Sequence, residues 1–181
     1  MARRKRIRIF FAYYELDKRR MLTWKKWLHR VVSKAARGHF EIVTCHDILI
    51  GGVNWSSVLA NRVRQSDLFI PFLSLRACYA YYNEDTFLKN EIDLALEEVK
   101  LRRLEPEKSL IVPIYLEDPA TFGSKKELGS LRCLREMKIH DIRVKNDSDQ
   151  AARAQLIQAI TNSPRRLPKS VRERLLKEVE I

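Results

Sequence analysis

The chain predicts an α/β fold with a parallel sheet and helices on both of its faces. Three observations carry this. Strand-like and helix-like segments alternate as β-α-β-α-β-α-β, followed by a weaker β-α. The apolar runs 68–73 and 110–115 are nearly continuous, as in strands covered on both faces. Segment 86–102 keeps one apolar stripe at helical spacing.

The elements follow in order. Ile7 to Ala12 reads as the first strand. Lys18 to Ala36 reads as a helix with Leu22, Leu28, Val31, Val32 and Ala35 as its main apolar positions, ended by Gly38. Phe40 to Val43 is a short second strand. A polar loop with Gly51-Gly52 follows, and Asn54 caps a short helix that runs through Arg64. Leu68 to Leu73 is the third strand, although Pro71 cannot donate to a ladder. Segment 78–85, with Tyr79, Tyr81 and Tyr82, reads as a long loop before a helix over Thr86 to Arg102. Leu110 to Tyr115 is the fourth strand, again with a proline, Pro113. Lys138 to Ile142 reads as a short last strand and Asp149 to Thr161 as a helix. Residues 1–162 are expected to form one domain. Residues 163–181 read as a linker and a short charged helix, of the kind that leads into a further domain.

The net charge of +12 is unevenly placed. Residues 1–38 hold 13 Lys/Arg against 2 Asp/Glu, while residues 39–162 hold 16 against 18. The body is near neutral and the basicity belongs to the ends. A basic face of this kind can bind nucleic acid or anionic lipid, and more often is simply solvated or docks an acidic partner, another copy's acidic face included. No aromatic side chains are spaced along Arg3-Arg4-Lys5-Arg6, so nucleic-acid binding has weak support from that run. The basic N-terminus is expected to play no catalytic part. Cys45, Cys78 and Cys133 are far apart and lack CxxC spacing, which argues against a disulfide framework and a zinc site and fits a reducing, cytoplasmic setting. Cys78 reads more readily as a buried thiol than a modifiable one. The apolar run 7–14 is too short for a signal peptide, and no run approaches a membrane span.

No GxGxxG, GxxxxGK[ST] or G-x-S-x-G occurs, and His29, His39, His46 and His140 lie in no triad or metal spacing. Glu91 stands out instead. At 100° per residue, Leu88, Ile92, Ala95, Leu96 and Val99 share a stripe. Glu91 falls at its edge, half desolvated, one turn after Phe87 and close to the loop before the helix. In a parallel sheet that loop lies at the carboxyl ends of the strands, where α/β folds bind ligands.

Four short boxes in order resemble the Toll/interleukin-1 receptor (TIR) domain over about Ile7 to Thr161. Segment 10–17, FFAYYELD, matches the family's first strand and loop, with Ala12 where serine is usual. Segment 47–55, DILIGGVNW, matches its second box. Segment 66–74, SDLFIPFLS, matches the Ser-Asp, apolar strand, Leu-Ser signature, and is followed by the aromatic-x-x-x-Glu pair Phe87 and Glu91. Ile111-Val112-Pro113-Ile114 matches the fourth strand, which commonly carries that proline. The resemblance implies a flavodoxin-like three-layer fold with about five parallel strands.

It also implies one of two functions. Some members of this family cleave NAD⁺ between nicotinamide and ribose, and some of those cyclise the ADP-ribose product; others are non-catalytic adaptors that only self-associate. The catalytic members carry a glutamate preceded four residues earlier by an aromatic residue, usually Trp, and here Phe. The resemblance therefore points to Glu91 as the catalytic carboxylate, with Tyr13, Tyr14, Asp47, Ile48, Trp55, Ser74 and Phe87 as substrate-binding residues. NAD⁺ is then the substrate, with no cofactor and no metal, in an immune or cell-death response. In the resembling enzymes a neighbouring copy's loop completes the site. Here that loop is Ile48 to Asn54, so self-association is expected to activate the domain.

Overall fold

The computed structural model describes residues 6–48, 55–83, 86–102, 110–118, 142–146, 148–163 and 167–179. The described strands are β1 (Ile7–Tyr13), β2 (Phe40–Thr44), β3 (Leu68–Leu73), β4 (Ile114–Tyr115) and β5 (Ile142–Arg143). All pair in parallel, in the order β2-β1-β3-β4-β5. This is the flavodoxin-like arrangement, and its strand order reverses between β1 and β3.

Register fixes which side chain meets which face. Ile9 pairs with Leu68 and Phe11 with Ile70, while Ile7 pairs with Phe40 on the other side. The period of two then sends Ile7, Ile9, Phe11, Leu68, Ile70 and Phe72 to one face. Phe10, Ala12, Phe69 and Leu73 go to the other. Phe10 stacks on Phe69 at 5.7 Å between ring centroids, and Phe11 meets Phe72 edge-on at 5.1 Å.

The first face is covered by α1 (Lys18–Ala35), α5 (Gln150–Thr161) and α6 (Lys169–Lys177). Met21 and Trp24 are buried in α1 beside Leu28, Val31, Val32 and Ala35, whereas Leu22 is exposed. The helical phase thus runs one residue earlier than expected at the start of α1, because the large Trp24 takes the core position. Gly38, at φ +81°, turns the chain out of the helix in a conformation that costs glycine little. Val171 and Leu175 of α6 are buried in the same core, and Lys34 pairs with Glu178 at 2.9 Å.

The second face is covered by α2 (Trp55–Arg64), α3 (Leu75–Asn83) and α4 (Phe87–Leu101). Here one sequence expectation fails. Residues 75–83 form a helix, not a loop. Ala77, Cys78, Ala80 and Tyr81 are small or amphipathic residues at helical spacing, and all four are buried. The Tyr81 hydroxyl donates to Asp93 on α4 at 2.5 Å. Thr86 caps α4, accepting from the Lys89 amide at 3.2 Å.

Both prolines find a place in one seam. The Phe69 amide donates to the Leu110 carbonyl, and Val112 and Leu116 donate to the carbonyls of Phe69 and Leu73. On a parallel strand, alternate residues bond to the same neighbour. Pro71 therefore turns its missing donor toward β4, and the β3–β4 ladder is interrupted at Val112 and Pro113. It pairs undisturbed with β1, opposite Ala12. β4 is accordingly shorter than the expected 110–115. β5 overlaps the expected 138–142 only at Ile142; residues 138–141 lie outside the described residues, as do 49–54, 84–85, 164–166, Cys133 and Arg3 to Lys5.

Candidate active site

The carboxyl ends of β1, β2 and β3 gather most of the expected site residues. Tyr13 ends β1, Asp47 follows β2, and Ser74 follows β3. Two constellations form there.

The first spans the β1/β3 switch point. Ser74 Oγ donates to Asp17 Oδ2 at 2.6 Å and accepts from the Ala77 amide at 3.0 Å. Burial raises the Asp17 pKa, opposed by the Ser74 hydrogen bond and the Arg20 charge. Glu117, beyond β4, accepts from the Leu75 amide at 2.7 Å. The serine therefore ties the loop after β1 to the start of α3.

The second is built around Glu91. It is fully buried, at 0% exposure, in line with Leu88 and Ile92 rather than half desolvated at the stripe's edge. Among the described residues no N–H or O–H donor reaches either carboxyl oxygen, and the Cys45 thiol is the side chain beside them. Burial drives its pKa well above the ordinary carboxylate value, and the neighbouring Cys45 thiol opposes this only in part. Cys45 follows β2, and burial and the Glu91 charge push its thiol up to about 12. Burial also raises Tyr13, and the charges of Cys45, Glu15 and Glu91 add to it. Cys45, at the carboxyl end of the sheet, thus interacts with both Glu91 and Tyr13. Burial thus favours the neutral form of Glu91.

Other expected site residues are placed differently. Asp47 is occupied: Lys25 Nζ lies 2.6 Å from Oδ2, and the Thr44 amide and hydroxyl donate to it at 2.7 and 2.8 Å. Burial acts to raise its pKa, but the bonds from Lys25 and Thr44 outweigh that and hold it low. Tyr13 belongs to the α1 side of the core and Tyr14 packs on the α4 side, so the two rings do not form one wall. Phe87 is 60% exposed. The side chains of Ile48 and Trp55 lie outside the described residues. Cys78 is buried, and burial first, then the Glu117 and Asp17 charges, push its thiol to about 12.

Cys45 was not anticipated by sequence reasoning. Its only signal is its place two residues before Asp47, and that becomes informative once β2 is known to lie beside β1. A groove of about 170 Å³ between His29, Ser33, Gly38, Phe40 and Ile42 lies at the amino end of β2, away from these groups. Among the described residues no helix is long and apolar enough to cross a membrane. No family model matches the chain, and no curated protein matches it.

Proposed function

We propose that this chain is a TIR-type NAD⁺ glycohydrolase, with Glu91 as the carboxylate that stabilises the ribosyl cation. The observation that carries this reading is Glu91 itself, on α4: a fully buried carboxyl with no cation and no N–H or O–H donor on it among the described residues, and only the Cys45 thiol beside it. Such a group costs stability and is kept where it does chemistry.

The chemistry fits a single acid. Nicotinamide leaves NAD⁺ as a neutral molecule, so no general acid is required. Breaking the glycosidic bond makes an oxocarbenium-like ribose, and an ionised carboxylate in a dry site stabilises it strongly. Burial favours neutral Glu91 in the free protein; the cationic nicotinamide lowers its pKa, so its proton passes to solvent as NAD⁺ enters and the carboxylate remains. Water then attacks the ribosyl carbon to give ADP-ribose, or a nucleophile of the adenine closes a ring. The buried position of Glu91 means that NAD⁺ reaches it only after covering groups part. This supports activation by self-association through the Ile48–Asn54 loop.

The test is incubation of concentrated protein with NAD⁺ and chromatographic separation of nicotinamide and nucleotide products. Turnover is expected to rise more steeply than in proportion to protein concentration. Glu91→Gln is expected to lower kcat by about 10²–10³-fold or more, the cost of removing one preorganised stabiliser. Wild-type-like turnover by that variant overturns the assignment.

The adaptor reading keeps one observation in its favour. Leu75, Tyr79 and Phe87 are exposed by 47%, 66% and 60%. An aromatic surface of this kind suits homotypic contact. Assembly without nicotinamide release at any protein concentration decides for it.

A further inference from the structure

Residues 18–37 hold eight Lys/Arg and no Asp/Glu. The apolar side of α1 is spent in the core. Of its cations, Lys18, Lys25 and Lys34 pair with Glu15, Asp47 and Glu178, and Arg20 donates to the Leu116 carbonyl at 3.1 Å. Arg19, Lys26, Arg30 and Arg37 are exposed and make no ion pair or hydrogen bond with the described residues. At 100° per residue the first three fall within about 40° of one another, over a rise of about 17 Å, and Arg37 follows past the helix end.

We propose that this row docks on the phosphate backbone of a nucleic-acid duplex without reading its sequence. The surface is independent of the NAD⁺ reading, since it lies on the opposite side of the sheet from α4.

A line of unpaired cations complements a line of charge rather than a compact ligand. A duplex offers about one phosphate charge per 1.7 Å of axis. Three of the four cations are arginines, whose planar forks match phosphate oxygens. Other occupants fit less well. The acidic side chains of the described surface are largely engaged: Glu97 and Glu98 face Arg64, Glu98 also holds Arg102, and Glu41 holds Arg8 and Arg62. They offer a second copy of the chain no free acidic row. An anionic membrane is held by cations together with inserted apolar groups. The one large apolar side chain exposed on α1 is Leu22, at 37%. Single strands are held by stacking on aromatic rings, and α1 exposes none.

The experiment is fluorescence anisotropy of the full chain with a mixed-sequence 20-base-pair duplex between about 50 and 200 mM salt. Four phosphate contacts give a log–log slope of about −3.6, or about 150-fold weaker binding over that range. DNA and RNA duplexes distinguish the two sources of the same backbone chemistry. Equal binding means that only the shared phosphates are read, and a preference names the source. Arg19→Gln, Lys26→Gln, Arg30→Gln and Arg37→Gln together are expected to abolish binding while circular dichroism stays unchanged. Arg30→Gln alone is expected to reduce the slope by about 0.9. A slope of about −2 or shallower overturns the proposal. So does unchanged binding by the fourfold variant. Capture by phosphatidylserine vesicles without duplex binding, or tighter binding to single strands, overturns it as well.

Discussion

Glu91 combines complete burial with two oxygens that no N–H or O–H donor reaches among the described residues, and burial therefore favours its neutral form. A carboxyl whose pKa is raised by folding holds its proton more tightly when folded than when unfolded. Its stability contribution is fully present below the ordinary value of 4.5 and is lost as pH rises toward the folded value. Glu91→Gln, which mimics the neutral acid, is therefore expected to melt above the wild type near pH 7. Melting curves taken down to about pH 4 should show that gap close. The same ionisation of the free protein should appear in turnover, with kcat/KM rising with pH through a value above the usual carboxylate range. At Ser74 the expectation is different. Ser74→Ala leaves buried Asp17 without its 2.6 Å donor, and chemical denaturation should register a loss of about 1–3 kcal/mol. The position of Glu91 on α4 was legible from helical spacing. Its full burial was not, because the Cys45 segment beside it follows a different strand, β2. Asp47 was legible as a polar residue after β2, but its commitment to Lys25 and Thr44 depends on α1 packing beside β2.

Helices α1, α2 and α4 announced themselves by apolar stripes and caps, and their bounds fall within a residue or two of expectation. Helix α3 did not. Its buried side is Ala77, Cys78, Ala80 and Tyr81, too small and too polar to read as an apolar stripe, so the segment with its three tyrosines read as a loop. What holds α3 is tertiary: Tyr81 reaches across to Asp93. Tyr81→Phe should cost about 1–2 kcal/mol in a denaturant titration, with Phe87 and Tyr79 remaining exposed. On α4, Ile92→Ala should cost about 2–5 kcal/mol, because the side chain is fully buried between α4 and the sheet.

At the scale of the molecule, the alternation of segments was enough to set a parallel sheet covered on both faces. The strand order came only with the structure, since no sequence pattern says which strands are neighbours. The end of the described chain also gained meaning there. Helix α6 read as a charged tail, yet Val171 and Leu175 lie in the core formed with Trp24 and Leu28. Three apolar residues in nine, Val171, Leu175 and Leu176, gave too weak a stripe to assign a packing partner. Leu175→Ala is expected to cost about 2–5 kcal/mol and to lower the single thermal transition of the whole body rather than add a second one.

A woven sheet opens where its weave is thinnest. Pro71 leaves the β3–β4 boundary without one of its backbone bonds, whereas β1 and β3 pair without a break from Ile9 to Tyr13. The molecule is therefore divided, below the level of its fold, into a tight half of β2, β1 and β3 and a looser half of β4 and β5. Deuterium should enter the amides of Ile114, Leu116 and Val144 before those of β1, so the strands beside Glu117 breathe while the strands that end at Tyr13 and just before Cys45 stay shut.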